Sequence, residues 1–161
     1  MCEYCGCQEI PAIADLTREH DALVARIALV RAHLLADVKD AAAAECRAML
    51  DILRPHTVVE EEGLFPLLTD EFPDHVQALL ADHVQIESVL GEAADRTPTD
   101  PTWPDRLLAA FHLLREHILK EQDGMFPAAL AMLDGDQWAQ VETARTRAGA
   151  LPEASGIAGE I

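Results

Sequence analysis

Aromatic side chains are scarce in this chain: they make up 4% of its 161 residues, with a single tyrosine. A core built without them must be mostly Ala, Leu, Val and Ile. That suits packed helices better than sandwiched sheets, where aromatic and β-branched residues concentrate. Positive charge is scarce too. Lys and Arg total 12 against 29 Asp and Glu, for a formal charge of −17, and Lys39 and Lys120 are the only lysines. Nucleic acid and anionic membrane surfaces are therefore not expected as partners, since both require clustered cations. No stretch reaches the ~18 to 20 uncharged apolar residues of a membrane span. The opening MCEYCGCQEI has no basic region followed by an apolar one, so it does not read as a secretory signal, and a cytoplasmic location is expected. Four cysteines in a reducing compartment are expected to be free thiols or metal ligands rather than disulfides.

Half of the residues are hydrophobic, enough for a full core in one domain. Five segments carry helical signals. The first is placed at 12–38, where Ile13, Leu16, Leu23, Ile27, Val30 and Leu34 recur at three, four and seven. The second is placed at 41–68, begun by the helix formers Ala41 to Ala44, kinked at Pro55 and frayed by Gly63 and Pro66. The third is placed at 74–94. Arg96 to Pro104 holds three prolines and reads as a loop. The fourth helix runs from Pro104 or Asp105 to Leu133, interrupted by Gly124 and Pro127, and a short polar fifth from Asp136 to Ala148. No segment alternates as a strand does. The expected fold is all-α: an up-down four-helix bundle over 12–148 with an additional short C-terminal helix. A Cys-rich arm (1–11) precedes it and a loose tail (149–161) follows.

An internal repeat carries the chemistry. Residues 56–66 read HTVVEEEGLFP and residues 117–127 read HILKEQDGMFP, both fitting H-x-x-x-E-x-x-G-x-F-P with an offset of 61. One helix upstream of each stands a lone histidine, His20 in REHDALV and His83 in ADHVQIE, offset by 63. The chain therefore reads as two helical hairpins of one design. Four residues at about 100° each return to within about 40° of the starting direction. His56 and Glu60 thus share one helix face, as do His117 and Glu121, about 6 Å apart along the axis. Four inward-facing helices can then deliver four imidazoles and two carboxylates. If His20 and His56 bind one ion, His83 and His117 the other, and Glu60 and Glu121 bridge them, each ion has two nitrogens and two oxygens and keeps room for small ligands. Imidazole with carboxylate suits Fe, Mn, Zn or Ni. Two redox-active ions with open positions favour iron or manganese and a partner such as O₂, peroxide or NO.

At these residues the sequence resembles the hemerythrin-like, or HHE cation-binding, family, and within it the H-HxxxE-H-HxxxE actinobacterial-type subclass. The resemblance spans residues 12–133. It implies a four-helix bundle with two non-haem iron ions per chain, oxo- or hydroxo-bridged, in preference to manganese or zinc. The chain departs from the oxygen-carrying members. Where their third helix has a second histidine, Glu87 stands here. Where their last helix places its carboxylate five residues after histidine, Glu121 stands at four, followed by Gln122. The loss of a fifth histidine makes the centre more symmetric and favours two-electron cycling with hydrogen peroxide, a catalase-like activity, over reversible O₂ carriage. The alternatives are an O₂ or NO carrier or sensor without turnover, and an iron-homeostasis or interaction module. The expected partners are small molecules; no protein partner is indicated.

Other residues divide between roles. Glu87, one turn from His83, either binds metal, accepts a bond from a ligand imidazole, or tilts to solvent. Glu61 and Glu62 read as solvated. Asp21 and Asp82 flank ligand histidines as acceptors for them or as surface charges. His33, His75 and His112 face away from the ligand stripe or begin a helix, and read as ordinary surface histidines. Cys2, Cys5 and Cys7 form C-x-x-C-x-C, a redox-sensitive arm in preference to a zinc site, which would need a fourth ligand beyond the mid-helix Cys46. Tyr4 lies in that arm.

Overall fold

The computed structural model describes residues 10–149, so the Cys2, Cys5 and Cys7 arm, Tyr4 and the tail lie outside the described residues. The described chain is helical, with α1 (Pro11–Leu35), α2 (Lys39–Val58), α3 (Pro73–Gly91), α4 (Trp103–Lys120), α5 (Phe126–Met132) and α6 (Gly135–Ala148). α1 packs on α2, α2 on α3, α3 on α4, and α4 again on α1, which closes a four-helix ring. Among the described residues no helix is long and apolar enough to cross a membrane.

α1 stops three residues short of its expected end. Asp37 takes the left-handed conformation (φ 56°), and the Val38 and Ala36 N–H groups bond back to the His33 and Ala32 carbonyls. That turn ends a helix and sends the chain back antiparallel.

The expected fraying after α2 does not occur, and the expected interruption of the fourth helix at Gly124 and Pro127 is a change of helical pitch rather than a break. Each helix instead widens into a π turn, Val59–Leu64 after α2 and Glu121–Met125 after α4. The motif prolines then fall in the first two positions of the next helical piece, a 3₁₀ turn at Phe65–Leu67 and α5. A proline there forfeits no intrahelical bond, because the first-turn N–H groups have no partner within a helix. Glu60 and Glu121 both lie in these wide turns, a backbone feature frequent at functional sites.

The inward stripes have a three-four spacing. In α1 it runs Ile13, Leu16, His20, Leu23, Ile27, Val30; in α3 it runs Val76, Leu79, His83, Ile86, Leu90, all buried. Cys46, Met49, Leu53, His56, Glu60 and Leu107, Ala110, Leu114, His117, Glu121 do the same in the other two helices. The histidines and glutamates thus occupy core positions. One apolar cluster holds Leu23, Ile27, Met49, Leu53, Ile86 and Phe111, the other Ile13, Leu16, Phe65, Leu79 and Phe126. The polar layer lies between them.

α6 begins at a capping box: the Gln137 N–H donates to Asp134 Oδ1 at 2.9 Å, and the Asp134 N–H to Gln137 Oε1 at 3.0 Å. It docks on the π turn after α2 and touches α1 and α2. Gly63 permits that approach, since a Cβ there would come within 2.9 Å of Ala144 Cβ and 3.2 Å of Val141 Cα. Its repeat counterpart Gly124 faces open space. Gly63→Ala is therefore expected to lower stability by about 1–3 kcal/mol through overpacking. Gly124→Ala should stay within about 0.5 kcal/mol of the parent. Thermal unfolding of the two variants checks the contrast, and equal shifts would contradict it.

Candidate metal centre

The structure brings His20, His56, Glu60, His83, His117 and Glu121 together, all of them at most 2% exposed. They form two groups that share both glutamates: His20, His56, Glu60 and Glu121, and Glu60, His83, His117 and Glu121. Within each group the possible ligand atoms lie within 4.8 Å of one another. Glu60 directs Oε1 to His56 Nε2 at 3.1 Å and Oε2 to His83 Nε2 at 3.2 Å. Glu121 directs Oε2 to His20 Nε2 and Oε1 to His117 Nε2, each at 3.0 Å. Every carboxylate thus offers one oxygen to each histidine pair. The ring centroids within the pairs are 4.8 and 4.6 Å apart.

All four carboxylate oxygens and His20 Nε2 are buried without a hydrogen-bond partner. Polar atoms in that condition are rare in folded proteins and costly. Cations held between them would remove the cost, so this donor set fits metal ions, and nitrogen with oxygen suits iron, manganese, zinc or nickel. Cys46 takes no part. It lies in an apolar cluster, and burial pushes its thiol up to about 12.

The outer ring nitrogens have partners related by the same repeat. His56 Nδ1 meets Glu19 Oε2 at 2.6 Å, and His117 Nδ1 meets Asp82 Oδ2 at 3.3 Å. These two acids each directly precede the lone histidine of their hairpin. His83 Nδ1 meets Glu61 Oε1 at 2.7 Å, and His20 Nδ1 meets the Gln122 side-chain amide at 3.2 Å. These two each directly follow a central glutamate. Such partners set which ring nitrogen carries the proton and which faces a metal. The motif phenylalanines stack on the lone histidines of the opposite hairpins, Phe126 on His20 at 5.7 Å and Phe65 on His83 at 5.9 Å.

Several sequence expectations change here. Glu61, read as solvated, is half-exposed but bonded to His83. Glu87 accepts from Thr57 Oγ1 at 3.2 Å and is not among the clustered ligand atoms. Asp82 contacts a ring, whereas Asp21 is exposed. Glu19 was missed altogether. It is fully buried, and Arg145 of α6 reaches it with Nη1 at 2.5 Å and Nη2 at 3.2 Å. The available signal was an acid directly before both lone histidines. His33, His75 and His112 stand outside the clusters, and His112 pairs with Glu116 on the surface.

Electrostatics tie the layer together. Burial by itself pushes the His56 imidazole down, but the Glu60 charge, the bond to Glu19 and the Glu19 charge outweigh it and raise His56 to about 10. Burial is likewise outweighed at His83 by Glu60, Glu61 and Glu121, which raise it to about 9. Glu60 and Glu19 would be raised by burial but are held below the usual carboxylate range, Glu60 chiefly by His56 and His83, Glu19 by His56 and Arg145. Both imidazoles titrate above their unfolded value of 6.5. In the chelator-treated protein their stabilisation is full below that value and is lost as pH rises through about 9 and about 10. Urea midpoints of chelator-treated protein should therefore fall across this range, and metal affinity should rise as the rings shed their protons. A flat profile would contradict the coupling.

The hemerythrin HHE cation-binding domain family matches the chain over residues 12–129, a span that contains all six clustered residues. No curated protein and no solved structure matches the chain.

Proposed function

The chain belongs to the hemerythrin HHE cation-binding family, and from that premise we propose that it holds two iron ions and decomposes hydrogen peroxide to water and O₂. In this reading His20 and His56 hold one ion, His83 and His117 the other, and Glu60 and Glu121 bridge them. The observation that carries it is the sharing of both carboxylates between the two histidine pairs. A pair of redox-active ions supplies two-electron chemistry directly, so no side-chain nucleophile is needed.

The chain's own residues prepare that chemistry. Glu19, Asp82 and Glu61 accept from the outer nitrogens of three histidines and turn their inner nitrogens to the centre. Arg145 fixes Glu19, and Lys120 Nζ holds Asp82 at 3.1 Å. The apolar clusters above and below limit bulk water. Each histidine pair supplies two imidazoles, and Glu87 is engaged with Thr57. The even distribution of ligands supports two-electron cycling over one-sided gas carriage.

The test is metal analysis of the purified protein followed by O₂ release from added peroxide. Two irons per chain and sustained O₂ evolution are expected. A reversible optical change with O₂ or NO and no turnover would replace this reading with that of a carrier or sensor. Zinc alone, or no metal after reconstitution, would leave an interaction or homeostasis role.

A further inference from the structure

A pocket of about 190 Å³ opens between α1 and α4. His20 and Gln122 form part of its wall, Asp21 and Arg115 contribute one charge of each sign, and Val24, Ile118 and Leu119 supply apolar surface. We propose that this pocket is the port through which a small uncharged reactant of peroxide size reaches the metal centre, on the His20 side. The inference builds on the metal-centre reading and adds to it the direction of approach.

The repeat shows why this side is open. By the offsets of 63 and 61, the counterparts of Val24 and Ile118 in the other hairpin are Glu87 and Thr57. Those two side chains bond to one another across the gap between α3 and α2. Valine and isoleucine cannot make such a bond, and the matching gap between α1 and α4 remains as the pocket.

The chemistry of His20 agrees. Three of the four clustered histidines lean on a carboxylate, whereas His20 leans on the neutral amide of Gln122. An imidazole backed by an amide is the less electron-rich ligand and is held less firmly than one backed by a carboxylate. The histidine in the pocket wall is therefore the one with the weakest support.

The walls also indicate what enters. A water molecule's share of liquid volume is about 30 Å³, so the space admits a peroxide-sized molecule with room to turn. Arg115 is exposed, so its N–H groups are available as donors, and Asp21 offers acceptors. Opposite charges at one pocket give no net pull on an ion, and a chain of charge −17 repels anions in general. A neutral molecule that both donates and accepts suits this lining.

Leu119→Trp fills the pocket from a side chain that is 56% exposed, so the helix has no core contact to lose. Val84→Trp is the control, at the repeat counterpart of Asp21 and 73% exposed. Leu119→Trp should lower kcat/KM for peroxide about tenfold at unchanged iron content, while Val84→Trp keeps the parent value. Crystals of the parent protein under xenon should show the gas beside Val24 and Ile118, and those of Leu119→Trp should not. Equal rates for parent and Leu119→Trp, or equal slowing in both variants, would overturn the proposal, as would a pocket without xenon. If the parent protein has no peroxide turnover, the proposed function fails by itself. Xenon in the parent pocket, lost in Leu119→Trp, would then still support a small-molecule port.

Discussion

Replacing Glu121 by alanine should take the metal content from the proposed two ions per chain to less than one. Glu121 is the one residue whose two oxygens face His20 and His117 in opposite histidine pairs, so its loss removes a ligand from both positions at once. Glu60 alone would then span the centre. The helices should survive, because the two apolar clusters on either side of the polar layer are untouched. Without metal, Glu121 sits 3.0 Å from His20 and His117 and its charge helps hold the His83 proton, so the chelator-treated variant should unfold below the chelator-treated parent, and the metal-loaded parent well above both by linkage. Elemental analysis and thermal melts with and without chelator give both readouts. Retention of two metals by Glu121→Ala would refute the bridging assignment.

The second large effect is expected at Glu19. Its carboxylate is fully buried between His56 and Arg145, whose side chain is 12% exposed. Glu19→Ala leaves a nearly buried guanidinium without its counter-ion, a change that typically costs about 3–5 kcal/mol. It also leaves His56 Nδ1 without its acceptor, for which a loss of about 10–100-fold in metal affinity is expected. The repeat supplies an internal control in Asp82. Its cation, Lys120, has a side chain that is half-exposed and can turn to water. Asp82→Ala should therefore lose metal affinity with a much smaller loss of stability. Urea denaturation and competition with a chelator separate the two quantities. Similar stability losses at Glu19 and Asp82 would contradict the burial argument.

Glu19 also shows where a sequence reading stops. His20 has an acid on either side, Glu19 and Asp21, and neighbouring residues on a helix point about 100° to each side of it. The spacing cannot choose between them. The structure does: Glu19 turns toward His56 and Arg145, and Asp21 lies beside α4 at the pocket. Glu61 is a similar case. Its neighbours Glu60 and Glu62 lie on either side of it, and only the position of α3 brings His83 Nδ1 within 2.7 Å. The motif glycines looked equivalent in the repeat, yet α6 crowds only Gly63. The four long helices and the inward stripes were legible because period and composition are local properties. The wide turns at Glu60 and Glu121 were not, because a Gly and a Pro close to a helix end are equally compatible with fraying.

By itself, the sequence determined an all-helical chain of two related hairpins, the six residues that meet at its middle, and a donor set of imidazole and carboxylate. Those follow from the three-four spacing of buried positions and from H-x-x-x-E repeated at a constant offset, both readable along one helix at a time. The tertiary structure alone decided which acids support which histidines, that α6 sends Arg145 into the layer, and that the α1–α4 side is open while Glu87 and Thr57 bridge the other. These depend on the relative rotation and height of separate helices, which are set by side-chain packing between segments far apart in the chain.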